Sequence, residues 1–447
     1  MTCAKDYIKS LFRNCSKIDS DLKKILHKLL NDKYALSVKI KNVKFAETAS
    51  HTMFFNTKKQ NSLSNAPLNA KFFSKLNKSN ISISLATAKI KLNNPSSPLY
   101  LDFFGNIIRT LPNKKYKESF VYCLNKFVPE QIDSYKKLMD LSYKQYIVGN
   151  LNKLKGLALL KNNGCISNHN FLDKKIHDNL SEASLIKKKI HFKRGIYEKM
   201  LNDMTYSYSN NCHKNLSDQV NYVQSNIINN VFLSKNKHYY LSLEEIASAL
   251  FIRKVSRQGS FLNKLFGEKK LRSKIYKFFD EPLFLEKEGL FLIPVDNKLI
   301  SELPNISNFI IRLEQGNIIL NVKFSLFILS FYGLQTFGGR FQKKYMLDFV
   351  KNIERLVKEV FSEDRYSKKS YLDKIKKIKF FDIASLILAK KDKKTFCHYD
   401  TLLSGEYNLD KSFYKILSQN IKVAFNNTEK YFEEKKYENE SNSRNKS

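Results

Sequence analysis

The chain has 447 residues, 43% of them hydrophobic, and its 78 Lys and Arg stand against 42 Asp and Glu, a formal net charge of +36. That length allows about two to four domains with sizeable cores, and the hydrophobic share argues against a wholly disordered chain. So large a cationic surplus calls for a polyanionic partner, with nucleic acid expected first and an anionic membrane surface second. The abundance of Lys, Asn, Ile, Phe and Tyr, with no Trp, 13 Gly and 8 Pro, is the usage of an AT-rich genome. Base bias does not penalise Asp and Glu strongly, so it leaves the shortfall of acids unexplained.

Residues 1–55 form a helical N-terminal segment, with apolar stripes at Ile8, Leu11 and Phe12, then at Leu22, Ile25, Leu26, Leu29 and Leu30. Residues 56–80 read as a polar linker of Asn, Ser and Lys. An α+β domain over 81–205 opens with an alternating stretch, 81–92, that predicts a strand. It continues through the breaker NNPSSP at 93–98, a second strand or buried turn at 99–108, and helical patterns over 117–160 and 181–202. The Ser/Asn-rich break at 206–211 marks a boundary before a unit spanning 212–298. Residues 299–425 form a C-terminal α+β domain. Within it, 309–322 reads as a hairpin around Glu314, Gln315, Gly316 and Asn317, and FSLFILSFYGL as a buried helix or central strand. An amphipathic helix carries Met346, Val350, Ile353, Leu356, Val357 and Val360. Residues 426–447 lack periodicity and read as a disordered tail.

The unit at 212–298 holds the most specific pattern. Leu216, Val220, Val223, Ile227, Ile228 and Val231 share a helical face, with Ser217 and Asp218 placed to cap it. Ser242 and Glu245 have the spacing of a capping box before an apolar face of Leu243, Ile246, Ala247 and Leu250. Phe261, Leu262, Leu265 and Phe266 anchor a third helix, and Leu271, Ile275 and Phe278 continue until Pro282. LFLEKEGLFLIP then gives two apolar runs around Lys287, Glu288 and Gly289, a hairpin signal.

Over 215–295 this order resembles a winged-helix DNA-binding domain of the kind found in plasmid replication initiators. It departs from that pattern at Phe251, where a tight turn wants Gly, and at Arg257, where an apolar anchor is usual. The resemblance implies a mainly α fold with small β hairpins, a multidomain α+β chain containing a winged-helix-like domain. It implies that the helix around 256–266 enters the major groove and that the hairpin acts as the wing. The DNA-binding residues would then be Arg253, Lys254, Ser256, Arg257, Gln258, Asn263, Lys264, Lys269, Lys270, Arg272 and Lys287. The function it implies is that of a replication initiator or regulator of an AT-rich plasmid, phage or similar element.

Other chemistry is less well served. There is no GxxxxGK[ST] and no GxGxxG. Cys165 and His169, Cys212 and His213, and Cys397 and His398 lack the paired spacing of a structural zinc site. Glu281, Glu286 and Glu288 with Lys287 offer a weak nuclease constellation, since charged residues at a hairpin tip are ordinarily solvated. No catalytic residue, metal or cofactor is assigned. Basic–aromatic runs, KKKIHFKRGIYEKM, RSKIYKFF and the basic run at 368–379, suit phosphate contact and base stacking. DNA is favoured over RNA. The alternatives are an organellar RNA-binding protein (maturase-like or ribosome-associated), a metal-dependent restriction-type endonuclease, and a bacterial effector acting at an anionic membrane.

The six cysteines form no CxxC, which favours a reducing compartment. The N-terminus lacks an apolar core of signal-peptide length. The most apolar run, 322–334, includes Lys323 and falls short of the ~20 residues that span a bilayer. These features predict a protein of the bacterial cytoplasm or an organelle matrix or stroma.

Overall fold

The computed structural model describes residues 17–36, 43–48, 73–74, 77–91, 100–101, 107–108, 118–137, 140–141, 144, 195, 198–232, 237–338, 342–378, 380–381, 390–391 and 394–395. Expectations for the N-terminal stripe at Ile8–Phe12, most of the 56–80 linker, the NNPSSP breaker, the run at 187–194 and the tail after 425 lie outside these residues, as do Cys165, His169, Cys397 and His398. The chain is mainly helical with small sheets.

The first helix, α1 (Ser20–Tyr34), forms because Asp19 accepts the N–H groups of Asp21 and Leu22 and because Leu22, Ile25, Leu26 and Leu30 recur at steps of three and four. It ends at Ala35, in the left-handed region, whose N–H returns to Asn31 O at 2.8 Å. The helical reading of residues 1–55 stops there, for Phe45–Glu47 is a strand, β1. With β2 (Ile81–Ala86), β3 (Lys237–Ser242) and two later strands, β7 (Gln335–Phe337) and β8 (Phe380–Phe381), it builds a five-stranded sheet in the order β8-β7-β1-β2-β3. Every pairing is parallel, with Glu47 beside Ser84, Phe45 beside Gln335 and Ser82 beside His238. The chain winds outward from β1 through β2 to β3, then returns to the other side of β1 for β7 and β8. This parallel sheet was not expected from hairpin signals, and it crosses the boundaries drawn at 205–212 and 298–299.

One face of the sheet, with Ala46, Ile83, Leu85 and Leu241, joins the main hydrophobic core. That core is completed by α1, α3 (Leu243–Val255), α8 (Val322–Phe331) and α9 (Gln342–Val360). The strand expected from the alternation in 81–92 is β2, and all six of its residues are buried. Its polar positions are serines, and they are hydrogen-bonded inside the fold. Ser84 donates to Glu47 Oε2 at 2.6 Å and lies 3.0 Å from His238 Nε2, while Ser82 lies 2.8 Å from Nδ1. With Ser84 donating to Glu47, the Nε2–H donates to Ser84, while Nδ1 faces Ser82, whose hydroxyl also reaches Lys237 O at 3.3 Å. Burial favours the neutral ring and pushes the His238 pKa down to about 3.

The sign of the consequence is fixed. A histidine whose folded pKa is depressed favours the deprotonated form, so its contribution is present above the unfolded value near 6.5 and is lost as pH falls toward 3. Stability should fall by about 1.4 kcal/mol per pH unit across that window from this group alone. His213, also pushed down by burial, adds in the same sense. Urea midpoints at pH 7.5, 6 and 5 measure the slope, and His238→Gln should flatten it; an unchanged slope in the variant contradicts the assignment.

Among the described residues, the edge strand β3 is closed by side chains rather than by a further strand. Helix α2 (Leu216–Ile227) runs into a π-helical turn carrying Asn229, which accepts from His238 N at 2.7 Å and donates to His238 O at 2.9 Å. Ser225 accepts from Tyr240 N, and Tyr34 donates to Tyr240 O at 2.6 Å. Pairing an edge in this way removes a template for aggregation. The cap of α2 is Asn215, which accepts from Asp218 N, rather than Ser217 or Asp218.

Between β3 and β7 lies the stretch that resembled a winged helix. Helix α3 is capped by Ser242, which accepts from Glu245 N at 3.2 Å. The short helices α4 (Phe261–Phe266) and α5 (Lys269–Arg272) follow, then the hairpin β4 (Phe284–Glu288) and β5 (Phe291–Val295). Gly289 turns the hairpin with φ +56°, a conformation that suits glycine. After α6 (Asn297–Glu302), the expected hairpin at 309–322 is instead a helix, α7 (Ser307–Glu314), and a strand, β6 (Ile318–Leu320). Phe309 and Leu313, four apart, both enter the core, and Gly316 at φ +72° ends the helix as its left-handed C-terminal residue. β6 pairs antiparallel with β4, making the sheet β5-β4-β6. FSLFILSFYGL resolves as the buried helix α8, and the amphipathic pattern as α9, followed by α10 (Arg365–Lys376). Among the described residues, no helix is long and apolar enough to cross a membrane.

Candidate nucleic-acid interface

The residues expected to meet DNA divide into three groups. Two are buried structural cations. Lys254, 2% exposed, binds Asp19 at 2.8 Å and Asp21 at 2.7 Å and lies over the Tyr332 ring at 4.9 Å. Its ammonium, bonded to Asp21, holds that carboxyl below the usual carboxylate range. Arg272, 1% exposed, donates to Phe266 O, Gly267 O and Leu303 O. It closes the carbonyl ends of α4 and of α6, an assignment the sequence missed because a buried arginine is rare unless its donors are matched. Arg272→Ala should cost roughly 3 kcal/mol of stability, since it leaves buried carbonyls unsatisfied. Binding of nucleic acid by the folded fraction should be unchanged. Denaturant unfolding beside a binding titration measures both; a loss of affinity without loss of stability would return Arg272 to the interface.

A second group is half-buried or exposed and committed to neighbours. Asn263 accepts from Gly259 N and donates to Val255 O at 2.7 Å, so it shapes the turn between α3 and α4. Lys264 reaches Asp364 at 3.0 Å and Ser367 at 2.7 Å, tying α4 to the start of α10. Phe261, Leu262, Leu265 and Phe266 are all buried. The six-residue α4 therefore offers a duplex no free row of donors, and the expected major-groove helix is largely consumed by packing. Arg253 and Arg257 are exposed and approach Asp21 at 3.7 and 3.5 Å, contacts weakened by water.

The third group is free: Ser256 and Gln258 in the turn, Lys269 and Lys270 on α5, and Lys287 on β4 are exposed with no ion pair among the described residues. The hairpin bearing Lys287 is less free than a wing. Phe120 N donates to Leu290 O at its tip at 3.0 Å, and Leu285, Leu292 and Ile319 pack with Cys123. Its other face, with Phe284 and Val295, lies in the main core.

The strongest basic surface was legible only as a run. On α10, Ser367, Tyr371 and Ile375 face inward. Arg365, Lys369, Lys374 and Lys376 are exposed, as is Lys377 beyond the helix, with Asp373 the one acid on that outward face. Tyr366, 86% exposed, stands beside Arg365. The helix adjoins the α3–α4 turn, where Tyr371 donates to Gly259 O at 3.4 Å, so Arg257 and Gln258 lie at its flank. The outward face of α9 adds Lys344, Lys351, Arg355 and Lys358, diluted by Asp348, Glu354 and Glu359.

The carboxylates of the nuclease reading are held apart by cations: Glu286 binds Arg312, and Glu281 binds Lys323 at 2.9 Å. Among the described residues no three His, Cys, Asp or Glu side chains are grouped to hold a metal. His213, beside Cys212, is bonded to Ser207 and Lys33 O. Comparison with family models, with curated proteins and with solved structures finds no match to this chain.

Proposed function

We propose that the chain is a nucleic-acid-binding protein that grips the phosphate backbone through the outward face of α10 and its flanks, with duplex DNA as the ligand. The observation that carries this reading is the row of exposed cations along α10. Arg365, Lys369 and Lys376 run down the outward side of a 12-residue helix, about 16 Å from first to last at 1.5 Å per residue. Duplex DNA presents a phosphate charge every ~1.7 Å of its axis, so several phosphates fall within that span. The formal charge of +36 adds long-range attraction. Phosphate contacts position a protein without reading sequence, and the commitment of Asn263 and Lys264 to the fold leaves few side chains for base edges. A role in replication or its regulation then fits a factor that holds DNA firmly and selects sites weakly.

Fluorescence anisotropy with mixed-sequence DNA duplexes, the same sequences as RNA, and single strands tests the proposal. Tight duplex DNA binding that varies little with sequence supports it. Exposed Tyr366 beside Arg365, and exposed Tyr276 between Lys274 and Lys277, favour a second reading in which unpaired bases stack on the rings. Tighter binding of single strands than of duplexes would select that reading.

A further inference from the structure

The parallel sheet has a feature independent of the basic helix. Its strands run β1, β2, β3 to one side and β7, β8 to the other, so the winding reverses between β1 and β7. In open parallel sheets, ligands bind outside the carboxyl ends of the strands at such a reversal. Here the carboxyl end of β2 continues into Thr87, Ala88 and Lys89. Glu244, fully buried, closes the floor beneath: it accepts from Thr87 Oγ1 at 2.6 Å, Ala88 N at 3.0 Å and Ser242 Oγ at 3.2 Å. Those three donors satisfy the carboxylate without a cation.

Lys89, the next residue after Ala88, is half-buried. Glu244, Glu281 and Lys323 are the charged groups that act on its ammonium, and no carboxylate among the described residues lies within ion-pair distance of it. Glu281 is already bound to Lys323. Lys323 stands in the first turn of α8, after its Asn321 cap, and its ammonium is 5.8 Å from the ring centre of Tyr345 in the first turn of α9. Gln342, which opens α9, accepts from Thr48 just beyond β1 and donates to Thr336 of β7, so the first turn of α9 lies beside those two strands. Burial lowers the Lys89 pKa, the sign of an ammonium that lacks a full counter-charge.

The geometry points to a second binding site at the carboxyl edge of the parallel sheet, one that takes the phosphates of a nucleoside polyphosphate on Lys89 and Lys323, with Tyr345 beside them. An anion there would supply the counter-charge that Lys89 lacks, and Lys323 would exchange part of its contact with Glu281 for the ligand. This site does not depend on the nucleic-acid reading.

Isothermal titration of the full chain with ATP, and separately with inorganic pyrophosphate, tests it. The expected result is saturable one-to-one binding, weakened tenfold or more by Lys89→Gln and by Lys323→Gln, and largely kept by Lys89→Arg. A variant with Arg365, Lys369 and Lys376 all changed to Glu should bind ATP as the unmodified chain does. Absence of binding to the folded unmodified chain overturns the inference. Binding that survives both glutamine variants and falls in the α10 variant also overturns it, because the phosphates would then be sitting on the basic helix. Thermal midpoints confirm that each variant is folded; if Lys89→Gln fails to fold, Lys323→Gln and Lys89→Arg decide the matter on the same criteria.

Discussion

Changing Arg365, Lys369 and Lys376 together to Glu should lower affinity for duplex DNA by on the order of 10²–10³-fold at ~0.1 M salt. Each neutralised phosphate contributes a salt slope of about 0.9, so three lost contacts remove between two and three decades of affinity relative to 1 M salt. The same variant should show a shallower salt dependence by a similar amount. Its fold should be intact, because the three side chains are exposed and Tyr371 and Ile375 keep the helix docked. By contrast, Arg257→Ala with Lys264→Ala should cost far less binding. Lys264 already serves Asp364 and Ser367, and a winged-helix reader would instead lose all specific binding with this pair. Anisotropy titrations of both variants against one duplex separate the two modes.

The largest effect on stability is expected at Lys33. Its ammonium, 6% exposed, is bonded to both Asp218 and Glu245, so α1, α2 and α3 meet on one charge. The two carboxylates hold the lysine pKa above its usual value against the cost of burial, and burial raises that of Glu245. Lys33→Ala leaves buried Asp218 with only the Lys214 N–H as donor and half-buried Glu245 without its cation, and should destabilise by roughly 3–5 kcal/mol. The sign of the pH response follows. A raised folded pKa favours the protonated form of Glu245, so the deficit of the variant should shrink as pH falls into the carboxylate range. Adding Asp218→Asn and Glu245→Gln to Lys33→Met should recover much of the loss, since a neutral cluster of similar volume avoids the desolvation of charge. Denaturant unfolding at pH 7.5 and pH 5 reads each of these; a Lys33→Ala loss below 1 kcal/mol would show that water reaches the cluster.

Much of the helical framework was legible from the chain alone. The step of three and four in Leu216, Val220, Val223 and Ile227, the Ser242 cap, the Gly289 turn and the stripe from Met346 to Val357 are local patterns, and each appears where its residues place it. The parallel sheet was not legible, because β1 and β7 have three residues each and their pairing joins positions nearly 300 apart. A strand so short has no readable period. The site was misjudged in part for a related reason. Lys254 and Arg272 look like surface cations until the partners are seen, and Asp19 lies 235 residues from Lys254. Lys369, Lys374 and Lys376 of the run on α10 do stay exposed, since its inward residues are few and periodic.

The most direct test is the salt dependence of binding by the full chain to a mixed-sequence DNA duplex, followed from ~50 to ~300 mM monovalent salt. Exposed cations on α10 and its flanks predict a log–log slope of about −4 or steeper, nearly the same for unrelated sequences. Absence of binding at ~50 mM salt, or a slope close to zero, would contradict the account.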